Sequence, residues 1–249
     1  MDVIYAIWLR NMQRFVKSRS RVIGSIMMPL FFICFLGYGL NSVVNIPNLQ
    51  SNYMEFLIPG MVTMSVMFSS IAAGTQIIWD KQFGILKETM VAPISRYEIM
   101  LGQTIGGATT AVLQGFLILF FALIIGLIGS DVTGFISALV IMLIIGISFT
   151  AFGIALASSF DNMPGFQLSM SFIAFPIFGL SGALYPISAL PEFVRPLTLI
   201  DPLTYGVEGV RYGLTGVSQI HPLICLVVIF AFACFTVAAG AYQFKRIKS

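Results

Sequence analysis

Phe135-Ile136-Ser137-Ala138-Leu139-Val140-Ile141-Met142-Leu143-Ile144-Ile145-Gly146-Ile147-Ser148-Phe149-Thr150-Ala151-Phe152-Gly153-Ile154-Ala155-Leu156-Ala157 runs for 23 residues without a charge. Coiled as a helix, such a run rises about 34 Å, enough to cross the roughly 30 Å hydrocarbon core of a bilayer. It is apolar on every side. A barrel strand would instead alternate apolar and polar residues with period two. A lone segment in lipid must satisfy its own backbone hydrogen bonds, and a helix does so.

Five further runs flank it, at about Val22 to Leu40, Phe56 to Ile78, Thr104 to Ile128, Phe166 to Pro186 and Pro222 to Tyr242. Six spans place both termini on one side. Arg10, Arg14, Lys17, Arg19 and Arg21 precede the first run, Lys81, Lys87 and Arg96 fall between the second and third, and Lys245, Arg246 and Lys248 follow the sixth. Eleven of the 13 basic residues thus share one face, against Arg195 and Arg211 on the other. The positive-inside bias makes that face, and both termini, cytoplasmic. The sequence therefore predicts an all-α membrane protein, one transmembrane domain over residues 1–249, in the plasma membrane.

Composition agrees. The chain is 58% hydrophobic and 9% charged, against about a quarter charged in soluble domains. The net charge of +3 is small and sits at segment ends, which argues against nucleic acid as a partner. Cys34, Cys225 and Cys234 lie within apolar runs and read as small core hydrophobes. The first run follows a basic leader, yet continues through Phe31, Phe32, Phe35 and Leu36 without a small-residue cleavage site, so it is expected to be retained.

Two connections are long. The inner one, residues 79–103, places Phe83, Leu86, Met90 and Val91 on one helical stripe with Lys81, Gln82 and Glu88 elsewhere, an amphipathic segment. Pro93 should end it, and Ser95 with Glu98 three residues on forms a capping-box pattern for the next helix. Pattern alone fits either a helix resting in the headgroups or a docking surface. The outer connection, residues 187–221, is apolar but broken by Pro191, Pro196 and Pro202, which predicts a re-entrant pair of short helices. Within it Glu208 and Arg211 are spaced to pair on one helix face, and Asp201 before Pro202 is placed to cap the following helix. Residues 1–21 mix the basic residues with Ile4, Trp8, Met12 and Phe15, as an interfacial amphipathic helix attracted to anionic lipid would.

Phe83-Gly84-Ile85-Leu86-Lys87, followed by Val91-Ala92-Pro93-Ile94-Ser95-Arg96 and Leu101-Gly102, resembles the cytoplasmic signature of type-2 ATP-binding-cassette exporter permeases. Pro29-Leu30-Phe31, Phe56-Leu57-Ile58-Pro59-Gly60, Leu180-Ser181-Gly182-Ala183-Leu184-Tyr185-Pro186 and Asp201-Pro202-Leu203-Thr204-Tyr205-Gly206-Val207-Glu208-Gly209-Val210-Arg211 are similar to further blocks of that family, in its order. The acidic and basic residues that commonly precede the Phe-Gly step are displaced by one position, in Asp80-Lys81-Gln82.

The resemblance implies a dimerising membrane subunit, paired with a second copy or a related permease, that rests on a separate ABC ATPase subunit and moves an amphipathic or hydrophobic substrate of the drug, lipid or glycan class outward. It makes Lys81, Gln82, Phe83, Gly84, Ile85, Leu86, Lys87 and Glu88 the ATPase-contacting coupling helix, puts Asp201, Glu208 and Arg211 in the outer re-entrant segment, and allows the amino-terminal helix either lipid or the ATPase as its contact. The sequence holds no Gly-x-x-x-x-Gly-Lys-Ser/Thr loop, so ATP and Mg are expected on the partner, with no cofactor or metal on this chain and membrane lipid around it. The polar residues read within the spans, Gln76, Gln103, Gln114, Ser148, Thr150, Gln167 and Ser169, are uncharged, which disfavours proton- or sodium-driven transport. A lipid-modifying enzyme fits poorly with one histidine in the chain, while a structural or assembly role is left open by composition.

Overall fold

A computed structural model describes residues 3–40, 53–85, 94–127 and 131–245, and in these the regular structure is helical throughout. Among the described residues six stretches are long and apolar enough to cross a membrane: Val22–Leu40, Tyr53–Gln82, Arg96–Ile124, Val132–Ser158, Met163–Leu180 and Pro222–Lys245. They are built from α2 (Arg19–Phe32) and α3 (Tyr38–Leu40) joined by a π turn at Ile33–Gly37; α4 (Tyr53–Ala73) and α5 (Thr75–Gln82); α6 (Arg96–Ile124); α7 (Val132–Ser158); α8 (Met163–Leu180); and α11 (Pro222–Lys245). Ahead of them stands α1 (Val3–Lys17), and between the last two spans lie α9 (Arg195–Ile200) and α10 (Pro202–Thr215).

The second span is the centre of the bundle, its most apolar window 78% buried, while the first and fifth are each 17% buried. Lipid offers no hydrophobic drive for helix association, so close packing must supply it, and small residues permit that packing. At the crossing of the second and fourth spans, a Cβ on Gly153 would lie 2.5 Å from the Ile71 carbonyl oxygen, and one on Gly74 would lie 2.4 Å from that of Gly153. Any side chain at either position pushes the two backbones apart. Some buried hydroxyls are satisfied within their own helices, Ser148 donating to the Ile144 carbonyl (2.6 Å), Thr104 to Met100 (2.9 Å) and Thr63 to Pro59 (2.8 Å), whereas those of Ser65, Ser70 and Thr150 have no partner.

Several boundaries differ from the sequence reading. The fifth span ends at Leu180 rather than Pro186, because the chain turns at Gly182, whose φ of 70° stops a right-handed helix. The third span ends at Ile124 rather than Ile128, and Gly126 (φ 73°) turns the chain just beyond it. Asp80, Lys81 and Gln82 belong to the helical end of the second span, and residues 96–103 to the third, so the connection itself is 83–95. Of the three cysteines only Cys225 is buried; Cys34 and Cys234 face outward.

Candidate functional site

The inner end of the bundle gathers the segments that the charge pattern assigns to the cytoplasm. Helix α5 carries its last turn past the apolar core and stops where Phe83 N–H donates to the Trp79 carbonyl (3.0 Å) and Gly84 N–H to that of Lys81 (3.2 Å). Gly84 takes φ 74° with nothing within 4 Å of a built Cβ, so the backbone turn alone restricts this position. This turn breaks the helix that the stripe pattern had carried through Phe83. Leu86, Lys87 and Glu88 lie outside the described residues, as do Met90, Val91 and Pro93.

Lys81 is held by its own chain. Its Nζ donates to the carbonyls of Ser158 (2.8 Å) and Phe160 (3.1 Å) and sits 3.5 Å from Asp161 Oδ1, while Gln82 Nε2 donates to the Asp161 carbonyl (3.3 Å). A cation at the carbonyl end of α7 also complements that helix's dipole. These contacts tie the end of the second span to that of the fourth. What they leave outward is Phe83, 68% exposed, stacked on the half-exposed Trp79 at 5.5 Å with planes 5° apart. Two flat rings thus form an apolar platform on a pinned helix end.

Beneath the platform is a network that local patterns do not signal. Arg10 Nη2 donates to Asp80 Oδ2 at 3.0 Å, across 70 residues of sequence, and Gln76 Nε2 donates to the other oxygen at 2.8 Å. Asp80 is buried, so a carboxylate does lie at the inner end of a span, neutralised by α1. Helix α1 is seated against the third span: Asn11 Nδ2 donates to Gln103 Oε1 (3.0 Å), Trp8 Nε1 to Thr109 Oγ1 (3.2 Å), and a Cβ on Gly106 would come 2.3 Å from Asn11 Nδ2. Trp8, expected among the lipid-facing residues, instead turns its indole N–H to protein. Ser95 and Glu98 form the capping box read from sequence, Glu98 Oε2 taking the Ser95 N–H at 3.1 Å. Arg96 Nη1 donates to the Lys245 carbonyl (2.7 Å), which brings the third and sixth spans together at the same end.

The outer end holds the other candidates, and α10 brings them together. Asp201 caps α10, accepting from Leu203 N–H at 3.0 Å and from the Thr204 hydroxyl at 3.3 Å. Burial raises its carboxyl from 3.8 to about 7, against the lowering effect of those two hydrogen bonds. Arg211 and Glu208 form a buried ion pair one turn apart, with 2% and 0% of their side chains exposed. Arg211 Nη2 also donates to the Gly182 carbonyl (2.9 Å), its guanidinium lies 3.9 Å above the Phe56 ring, and Glu208 Oε2 accepts from Gln219 N–H (2.5 Å). Burial lowers the Arg211 pKa and the Glu208 charge opposes that shift. The pair therefore clamps the second span, the end of the fifth and the loop after α10 onto one helix. Helix α9 is different, with Leu197, Leu199 and Ile200 exposed. His221 caps the sixth span, its Nδ1 accepting from Leu223 N–H at 3.3 Å.

Comparison with known proteins adds an independent finding. Residues 2–215 match the family described as ABC-2 type transporter. The inner membrane transport permease YadH of Escherichia coli K12 is 26% identical over 250 residues, covering 97% of this chain and 94% of that protein. Nodulation protein J of Sinorhizobium fredii is 26% identical over 258 residues, covering 98% and 94%.

Proposed function

This chain belongs to the ABC-2 type transporter family and is a multi-pass transport permease subunit, and on that footing we propose that it works as the passive gate of an ATP-driven exporter. Its termini face the cytoplasm, it pairs with a second copy or a related permease, and a separate ATPase subunit supplies ATP, Mg and hydrolysis. The substrate is amphipathic or hydrophobic, of the drug, lipid or glycan class.

The observation that carries this reading is the exposed Phe83–Trp79 stack on the helix end that Lys81 and Asp80 pin. An apolar patch on a rigid lever is what a moving partner can grip, and residues Lys81 to Glu88 are the segment that it engages. Lys81 and Gln82 serve the contact as positioning residues, since their polar atoms are committed to the end of α7. Closure of the ATPase pair then bears on the second and third spans together, because α1 bridges them through Arg10–Asp80 and Asn11–Gln103. Each nucleotide state must favour one gate arrangement by a few kcal/mol, roughly 5.5 kcal/mol for a full exchange from 1:99 to 99:1.

Reconstitution of the chain with its ATPase in vesicles tests the reading. Gly84→Val, a β-branched residue at positive φ, and Glu88→Lys should each leave ATP hydrolysis running while export falls. Unchanged export with a normal hydrolysis rate would remove the coupling role from this segment.

A further inference from the structure

A cavity of about 280 Å³ lies where α1, the first span, the second span and the third span meet. Its wall on the third span is a stripe: Gln103, Gly107, Thr110 and Gln114 recur at four-, three- and four-residue spacing, on one helical face. Eleven residues of helix extend about 16 Å. The space is therefore a narrow slot, and α1 adds Asn11 and Arg14 to it.

The slot contains polar groups left without a partner. Gln103 is 4% exposed; its Oε1 accepts from Asn11 while its Nε2 has no partner, and Gln114, 5% exposed, has none at Oε1. An unpaired buried amide costs about 1–3 kcal/mol. An occupant must accept a hydrogen bond at one end of the stripe and donate one at the other. A hydroxyl can do either, so a group that carries several can meet both ends of the stripe whichever way each amide is turned. No carboxylate among the described residues lines the slot and Arg14 does, which disfavours a cationic occupant. Drug-sized ligands take cavities of about 300–1,000 Å³, so this volume suits a headgroup rather than a whole amphiphile.

We infer that the slot between α1 and the second and third spans binds a hydroxyl-rich polar group, of the kind a glycosyl headgroup presents, through Gln103 and Gln114. Binding of this kind needs no ATPase and holds whether or not the occupant is transported.

The experiment uses the full chain in nanodiscs of phosphatidylcholine with a minority of monoglucosyl diacylglycerol, followed by mass spectrometry of lipid retained on the purified protein. The glucosyl lipid should be retained well above its bulk share. Gln114→Leu should lower that retention about tenfold, the loss of one buried hydrogen bond, with Gln114→Met as the second variant if the first does not fold. Gln167→Leu, on the exposed face of the fifth span, should leave retention unchanged. Displacement of the lipid by free methyl glucoside would support the site and show that the sugar suffices; retention that methyl glucoside does not displace would support it with the lipid as source. Wild-type protein retaining both lipids in bulk proportion, as a slot holding only water would, overturns the inference. So does retention that Gln114→Leu and Gln114→Met leave unchanged.

Discussion

Removing the charge of Glu208 isolates the most deeply buried cation among the described residues. Arg211 is 1% exposed, its Nη1 bonded to Glu208, its Nη2 to the Gly182 carbonyl, and its Nε without a partner. In Glu208→Gln the guanidinium keeps Gly182 and the Phe56 face but loses its counter-charge. Breaking a buried pair from one side costs about 3–5 kcal/mol. The Phe56 contact offsets a part of order 1–2 kcal/mol already present in the wild type, so it does not reduce that loss. Replacing both partners, as Glu208→Leu with Arg211→Met, removes the orphaned charge and should cost less than the two single replacements summed, what remains being about 1–3 kcal/mol for each of the Gly182 and Gln219 groups left unpaired. Thermal unfolding of the purified chain in one detergent, for Glu208→Leu, Arg211→Met and the double, with Glu208→Gln beside them, reads these costs. A double variant as destabilised as the sum of the two singles would refute the reasoning, because it would mean that the charges are not coupled.

Other perturbations follow from the same geometry. Gly153→Val inserts a side chain whose Cβ would start 2.5 Å from the Ile71 carbonyl, and should cost about 1–3 kcal/mol or more, read as a lower unfolding temperature. Asp80→Asn keeps the volume but strips Arg10 of its carboxylate, and should loosen α1, measured as faster proteolysis within residues 3–17 than in the wild type. For Asp201 the folded-state pKa of about 7 lies above the ordinary value, so the native state holds the proton more tightly. Its contribution is fully present below about pH 4 and is lost as pH rises to about 7. Asp201→Asn keeps a capping acceptor and should flatten the fall in unfolding temperature between about pH 4 and pH 7.

Much of the fold is legible in sequence because a bilayer leaves few alternatives. Runs such as 135–157 have one way to satisfy their backbone in lipid, and parity with basic-residue placement orders them. Local chemistry was legible because it is short-ranged: the Ser95–Glu98 box, the Asp201 cap and the Glu208–Arg211 pair each act within three residues. What escaped depends on distance. The link from Arg10 to Asp80 spans 70 residues, and nothing near Asp80 distinguishes a buried carboxylate at a helix end from a solvated one in a loop. The contacts of Lys81 escaped similarly, since its partners are backbone carbonyls at the end of another span and just beyond it, and carry no sequence signal. Span ends were read too long where glycine, at 126 and 182, turns a chain whose neighbours remain apolar.

The central claim is that the Phe83 turn faces the compartment that holds the ATPase. A Phe83→Cys variant, in a background with Cys34, Cys225 and Cys234 replaced by serine, can be challenged with a membrane-impermeant maleimide in intact cells and in inverted membrane vesicles. Labelling confined to inverted vesicles, and blocked when the ATPase subunit is bound, is the expected result. Labelling from outside intact cells would place the turn beyond reach of any cytoplasmic motor and contradict the account.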